Sequence, residues 1–178
     1  MRISIIGSAG RNDDKDKLDM EVYYKMYNTA DIKLNEIIKE YDLNYKDIEL
    51  ISGGSSYADH IAIYLYFKYH KDGIKLTLHL PYNFVNGSFT NKTLNNYHEI
   101  FSTKCSINSL LHIQVAITSG AKYYVHNGYH DRNLYVGNTD YLIAFTFAKN
   151  GTLKPGGTKH TWDNSSCKNK IHYDIASL

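Results

Sequence analysis

Short apolar segments that end at a glycine-containing turn and give way to a helix recur along this chain, and that recurrence limits the folds open to it. "RISIIG" runs into "GSAGR", "IELIS" into "SGGSSYAD", and the stretch after "DYLIAFTF" into "PGGTKHTW". Runs of this length, bounded by turn residues, read as buried strands. "IKLTLHLP", stopped by Pro81, and "KIHYDI" add two more. Apolar positions at Val22, Met26, Ile32, Leu34, Ile37 and Ile38 predict a long, somewhat irregular helix, and Ile61, Leu65 and Tyr69 recur at helical spacing in "ADHIAIYLYFKYH". "INSLLHIQVAITSG" predicts a helix ended by Gly120. The segment from Asn83 to Phe101 reads as loop with a short helix, "VHNGYHD" as loop, Arg132 to Asn138 as turn or helix, "AKNGTLKPGGT" as loop and "HTWDNS" as a short helix.

Strands alternating with helices imply an α/β fold, with a mostly parallel sheet covered on both faces and right-handed crossovers. No internal repeat or low-complexity linker interrupts the pattern, so a single domain over residues 1–178 is expected. A chain of that length buries about 70% of the surface its unfolded form exposes.

Composition removes several function classes. Cys105 and Cys167 are far apart and lack C-x-x-C spacing, which argues against a disulfide framework or a cysteine zinc site. A reducing, cytoplasmic setting fits, because the apolar start of "MRISIIGSAG" is too short for a signal-peptide core or a membrane span. The net charge of +2 is spread among interspersed acidic and basic residues, which makes nucleic acid an unfavoured partner. His126 and His130 are four apart, but Gly128 between them argues against a shared helical face, so no metal site is expected. "GGSS" lacks the G-x-S-x-G spacing of a serine nucleophile. No cofactor is implied.

Ligands of open parallel sheets sit outside the strands' carboxyl ends, so the glycine turns read as parts of one site. In the first, Gly7 and Gly10 permit close backbone approach, Ser8 offers a hydroxyl and Arg11 a phosphate clamp; ordinary turn chemistry is the rival explanation. In the second, Gly53 and Gly54 can bare backbone N–H groups beside a helix start, with Ser55 and Ser56 as hydroxyl donors. Asp59 either braces that turn or binds a ribose hydroxyl. In the third, Gly156 and Gly157 open the backbone, while Thr158 and Thr161 cap the helix or bond a phosphate. Arg132 and Asn133 precede the strand from Asp140 to Phe147 and would lean over the same edge; the simpler alternative pairs Arg132 with Asp131 at the surface. Tyr57, Tyr129, His130 and Trp162 are candidate stacking partners for a base, with core packing the alternative for Trp162.

These segments together resemble the SLOG superfamily of LOG, DprA and YspA-like proteins. "ISGGSSYADHIA" is similar to the "SGGARGAD" turn and helix of its YspA-like branch, "HDRNLYVGNTDYLIAF" to the arginine-containing helix and following strand, and "PGGTKHT" to the final glycine-threonine loop. The likeness runs from Ile3 to Thr161. It implies a Rossmann-like three-layer sandwich, a nucleotide or nucleotide-derived small molecule as ligand, and frequent homo-oligomers. The LOG branch cleaves N-glycosidic bonds with an arginine and the glutamate of "PGGxGTxxE". Arg132 corresponds to that arginine, but after Gly157 this chain reads "TKHTWD", which offers only Asp163 at a shifted position as catalytic carboxylate. Breaking such a bond builds positive charge on the ribose and wants a carboxylate close by. Binding, as sensor or sequestering protein, is therefore the first expectation, and phosphoribohydrolase activity the second.

Overall fold

The computed structural model describes residues 1–149 and 152–178, apart from the side chain of Lys149. In chain order the elements are β1 (Arg2–Gly7), α1 (Met20–Glu40), β2 (Glu49–Ser52), α2 (Ala58–Tyr69), β3 (Lys75–Leu80), β4 (Phe84–Val85), β5 (Ser88–Phe89), α3 (Lys92–Cys105) and α4 (Ser109–Thr118). There follow β6 (Lys122–Val125), α5 (Gly128–Gly137), β7 (Tyr141–Thr146), β8 (Ala148–Lys149), β9 (Thr152–Leu153), α6 (Gly157–Asn164) and β10 (Asn169–Asp174). Short 3-10 turns bridge several of them, including Asn12–Asp16 after the first glycine turn.

One six-stranded sheet, ordered β10-β7-β1-β2-β3-β6, organises the molecule, and every pairing in it is parallel. The fold is the α/β, Rossmann-like three-layer sandwich that the strand and helix alternation implies. Side chains of the central strands alternate between two cores, as the two-residue period of a strand requires. Ile3 and Ile5 of β1, with Ile143 and Phe145 of β7, enter a large core beneath α1 to α4. Ile6, Leu142 and Ala144 enter a smaller one with Ile51 of β2 and Val136 of α5. Fully burying each of the isoleucine, leucine, valine and phenylalanine side chains contributes about 1.5–3 kcal/mol.

Helix α1 starts where Asp19 accepts a hydrogen bond from the Val22 amide at 2.9 Å, an N-cap that satisfies one of the orphan donors of the first turn. It buries Tyr23, Met26, Ala30, Leu34 and Ile37, while Ile32 is 61% exposed. The apolar stripe is therefore one position off the expected face at its start, with small Ala30 completing it. Helix α2 is buried nearly all round, since it lies between the sheet and its neighbours α1 and α4.

Four local readings change. Residues 92–105 form a full helix of 14 residues rather than a short one, because a buried histidine, His98, stands among Leu94, Phe101 and Cys105 on its inner face. "KYYV", read within no element, is the edge strand β6, and all four of its residues are exposed. Helix α5 begins at Gly128 and so takes up most of the "VHNGYHD" loop. Within the loop expected around residues 148–158, β8 and β9 pair as a two-stranded hairpin, and Asn150 and Gly151 lie outside the described residues. Among the described residues no helix is long and apolar enough to cross a membrane.

Candidate functional site

The chain leaves β1 for β2, β3 and β6 on one side and returns to β7 and β10 on the other. The connections from β1 and β7 therefore diverge, and such a switch point opens a crevice beyond the strands' carboxyl ends. A cleft of about 280 Å³ lies there, bordered by the first glycine turn, the start of α2, α5, the end of β7 and the segment leading into α6.

Glycine is demanded where β1 ends. A Cβ on Gly7 would stand 2.0 Å from the Phe145 carbonyl oxygen and 2.7 Å from Ala58 Cβ. The turn beyond is held from several sides. Ser8 donates its amide to Phe145 O at 2.8 Å and its hydroxyl to Asp14 at 2.8 Å, and Ser56 donates to Ala9 O at 2.8 Å. Thr158, at the start of α6, donates to Gly7 O at 2.9 Å and so ties the third turn to the first.

The second turn serves a different purpose from the one its glycines suggest. A Cβ on Gly53 would fall 1.3 Å from Arg132 Nη1 and 2.5 Å from Asp59 Oδ2, so the missing side chain makes room for a guanidinium of the protein itself. Arg132 donates from Nη1 to Asp59 Oδ2 at 2.9 Å, with both residues less than a tenth exposed. Burial pushes the Asp59 carboxyl up from the ordinary carboxylate range, and Arg132 opposes that shift. Gly54 has φ +66°, and its carbonyl accepts from His98 Nε2 at 3.1 Å. Of this segment only Ser55 and Asp59 line the cleft; Gly53, Gly54 and Ser56 lie behind it.

Helix α5 contributes Tyr129, Arg132 and Asn133. The pairing of Arg132 with Asp131 does not occur: Asp131 instead accepts from the Asn127 amide at 3.1 Å and lies 3.8 Å from His126 Nδ1. Asn133 reaches Gly157 O at 3.5 Å. Gly156, with φ +148° and open space where a Cβ would stand, and Gly157 form the opposite wall with Thr158 and Thr161. The Thr161 hydroxyl is used within its own helix, donating to Gly157 O at 3.0 Å.

Gly7, Ser8, Arg11, Ser55, Asp59, Arg132, Asn133, Gly156, Gly157, Thr158 and Thr161 thus meet along one cleft. Asp163 does not. It is exposed on α6 and pairs with Lys159 one turn earlier at 2.5 Å, so the only carboxylate offered near the third turn is outside the cleft. Trp162 packs against the smaller core, and Tyr57 is buried against Phe101; of the stacking candidates only Tyr129 borders the cleft. Sequence reasoning missed Asp14 and Lys154, which form an ion pair at 2.8 Å across the cleft mouth, and Thr146 at the end of β7. The position of Lys154, just before Pro155 and Gly156, was the available signal.

Three residues that line the cleft each carry a buried polar atom without a hydrogen-bond partner among the described residues: Arg11 Nε, Ser55 Oγ and Arg132 Nε. Buried polar groups are nearly always paired, so three unpaired ones on residues that share one concavity mark it as a place for a polar ligand.

Fold and cleft together define a Rossmann-like α/β protein with a polar crevice at the switch point of its parallel sheet. No protein-family model matches the chain. It is 35% identical over 185 aligned positions to the uncharacterized protein R261 of Acanthamoeba polyphaga mimivirus, an alignment covering 99% of this chain and 97% of that protein. The chain belongs to the family of that viral protein.

Proposed function

We propose that the cleft binds a nucleotide or nucleotide-derived ligand, such as a nucleoside phosphate, an ADP-ribose-like molecule or a cyclic nucleotide, and that the chain is a SLOG-type sensor or sequestering protein. The observation that carries this reading is the set of unpaired donors, Arg11 Nε, Ser55 Oγ and Arg132 Nε, on residues that share the switch-point cleft with the open backbone of Gly156 and Gly157. An anion flanked by hydroxyl groups satisfies such donors, and Tyr129 offers a ring beside them. The size of the cleft is close to the lower end for small-molecule sites, about 300 Å³.

Binding is preferred to N-glycosidic hydrolysis because the carboxylates are committed elsewhere. Asp59 is tied to Arg132, Asp14 to Lys154 and Ser8, and Asp163 is outside the cleft. None is free to stand against a ribose that gains positive charge. Self-association belongs to the same proposal through the SLOG resemblance, and light scattering on the pure chain tests it. The main test incubates the protein with a nucleotide panel and reads both melting temperature and free base by chromatography. A thermal shift with intact ligand supports binding; released base would replace it with hydrolysis, and neither signal with any nucleotide would refute the proposal.

A further inference from the structure

Three cationic side chains border the cleft, and their charges are not equally available. Lys154 is paired with Asp14 at 2.8 Å and Arg132 with Asp59 at 2.9 Å. Arg11 makes no ion pair among the described residues. The Asp59 carboxylate feels its charge only from beyond ion-pair distance, and aromatic rings flank it: Cζ lies 4.7 Å from the ring centre of Tyr129 on α5 and 5.1 Å from that of Tyr97 on α3. Ring faces attract a guanidinium and restrain it, yet they carry no net charge to cancel its own. Its Nε is also buried without a hydrogen-bond partner.

The loop beneath Arg11 is fixed rather than free. Gly10 has φ +71° and its amide donates to Ser8 Oγ at 3.3 Å, while Ser56 holds Ala9 O at 2.8 Å. A restrained guanidinium loses little freedom when its fork engages two oxygens of one phosphoryl group, and that planar match is what Arg offers over Lys. We infer that Arg11, gripped by Tyr97 and Tyr129, is the residue by which the cleft selects phosphorylated over unphosphorylated ligands, whereas Arg132 is a positioning residue whose charge Asp59 already balances. The inference rests on the nucleotide reading above and assigns its charge recognition to one side chain.

Isothermal titration of the whole chain with AMP, GMP, CMP, UMP and ADP-ribose, and with the corresponding nucleosides, tests it. For whichever nucleotide binds the wild type, Arg11→Met is expected to weaken affinity about 10- to 100-fold, the range for a lost charge-assisted contact, with nucleoside affinity far less affected and the melting temperature lowered by only a few degrees through the lost ring contacts. Arg11→Lys should restore part of the loss. Wild-type affinity for the nucleotide should also fall as NaCl rises, a readout that does not depend on any variant folding. An Arg11→Met protein that keeps the wild-type ratio of nucleotide to nucleoside affinity, or a wild type indifferent to salt, overturns the assignment while leaving nucleotide binding intact. A wild type that binds no nucleotide overturns both.

Discussion

Replacing Gly53 by alanine adds one methyl group at the place where the molecule has least room for it. Because φ at Gly53 is outside the left-handed region, the alanine is conformationally acceptable and its effect is steric. The new carbon would stand 1.3 Å from Arg132 Nη1, so the guanidinium must leave its 2.9 Å contact with Asp59. The side chains of the two partners are only 9% and 6% exposed, which leaves Asp59 as a buried charge without its counterion. Separating a buried pair in this way costs about 3–5 kcal/mol. At about 2–4 °C per kcal/mol for a chain of this size, the melting temperature should drop by about 6–20 °C. Scanning calorimetry measures it. Repeating the substitution in an Arg132→Met background removes the guanidinium and leaves only the 2.5 Å approach to Asp59 Oδ2, so the penalty there should be smaller, a non-additivity expected of contacting residues. A Gly53→Ala protein melting within about 2 °C of wild type, or equal penalties in both backgrounds, would refute the account of why glycine is there.

Further outcomes follow from other contacts. Burial holds His79 and His98 at about 4 and His60 well below its ordinary value of 6.5. Between pH 6.5 and 4 the unfolded chain therefore takes up protons that the folded one refuses, so stability present above that window should decline as pH falls through it; a melting temperature flat across this range would contradict the burial. Thr158→Val removes the hydroxyl that holds Gly7 O at 2.9 Å and should cost about 1 kcal/mol in denaturant titration while weakening nucleotide affinity; no change in either would release the third turn from its assigned role. Asp163→Asn should leave melting temperature and nucleotide affinity unaltered, because its partner is a surface lysine; loss of a base-releasing activity in that variant would bring hydrolysis back.

The sheet was legible wherever a strand is buried on both faces. β1 and β7 are nearly continuous apolar runs closed by a turn, a demand made at the centre of a parallel sheet, while β3 alternates leucines with Thr77 and His79 that are buried all the same. β6 carries no such mark, since its exposed edge position leaves its composition unconstrained. Helix α3 was underestimated because His98 looks polar in sequence yet is fully buried, bonded to Ser109 Oγ and Gly54 O. The candidate site was legible as a list of turns, because glycines and hydroxyls cluster there for reasons of local geometry. Which partner each residue takes was not. Nothing near Asp59 in sequence announces an arginine 73 positions away, and the same small residue at Gly53 fits equally well an approaching ligand or an internal guanidinium.

The place of β1 between β2 and β7 has a consequence for the chain during its synthesis. Its partner on one flank, β2, and the strands beyond it, β3 and β6, are complete once Val125 has been made, but the ladder from Ile3–Tyr141 to Gly7–Phe145 waits for Phe145, 20 residues later. At bacterial-to-eukaryotic ribosome speeds that interval is roughly one to four seconds, during which an isoleucine-rich flank stays unzipped. Fragments that stop short of Tyr141 keep it so permanently, and they should recruit one another into aggregates that the finished chain, with β7 docked, has no means to form.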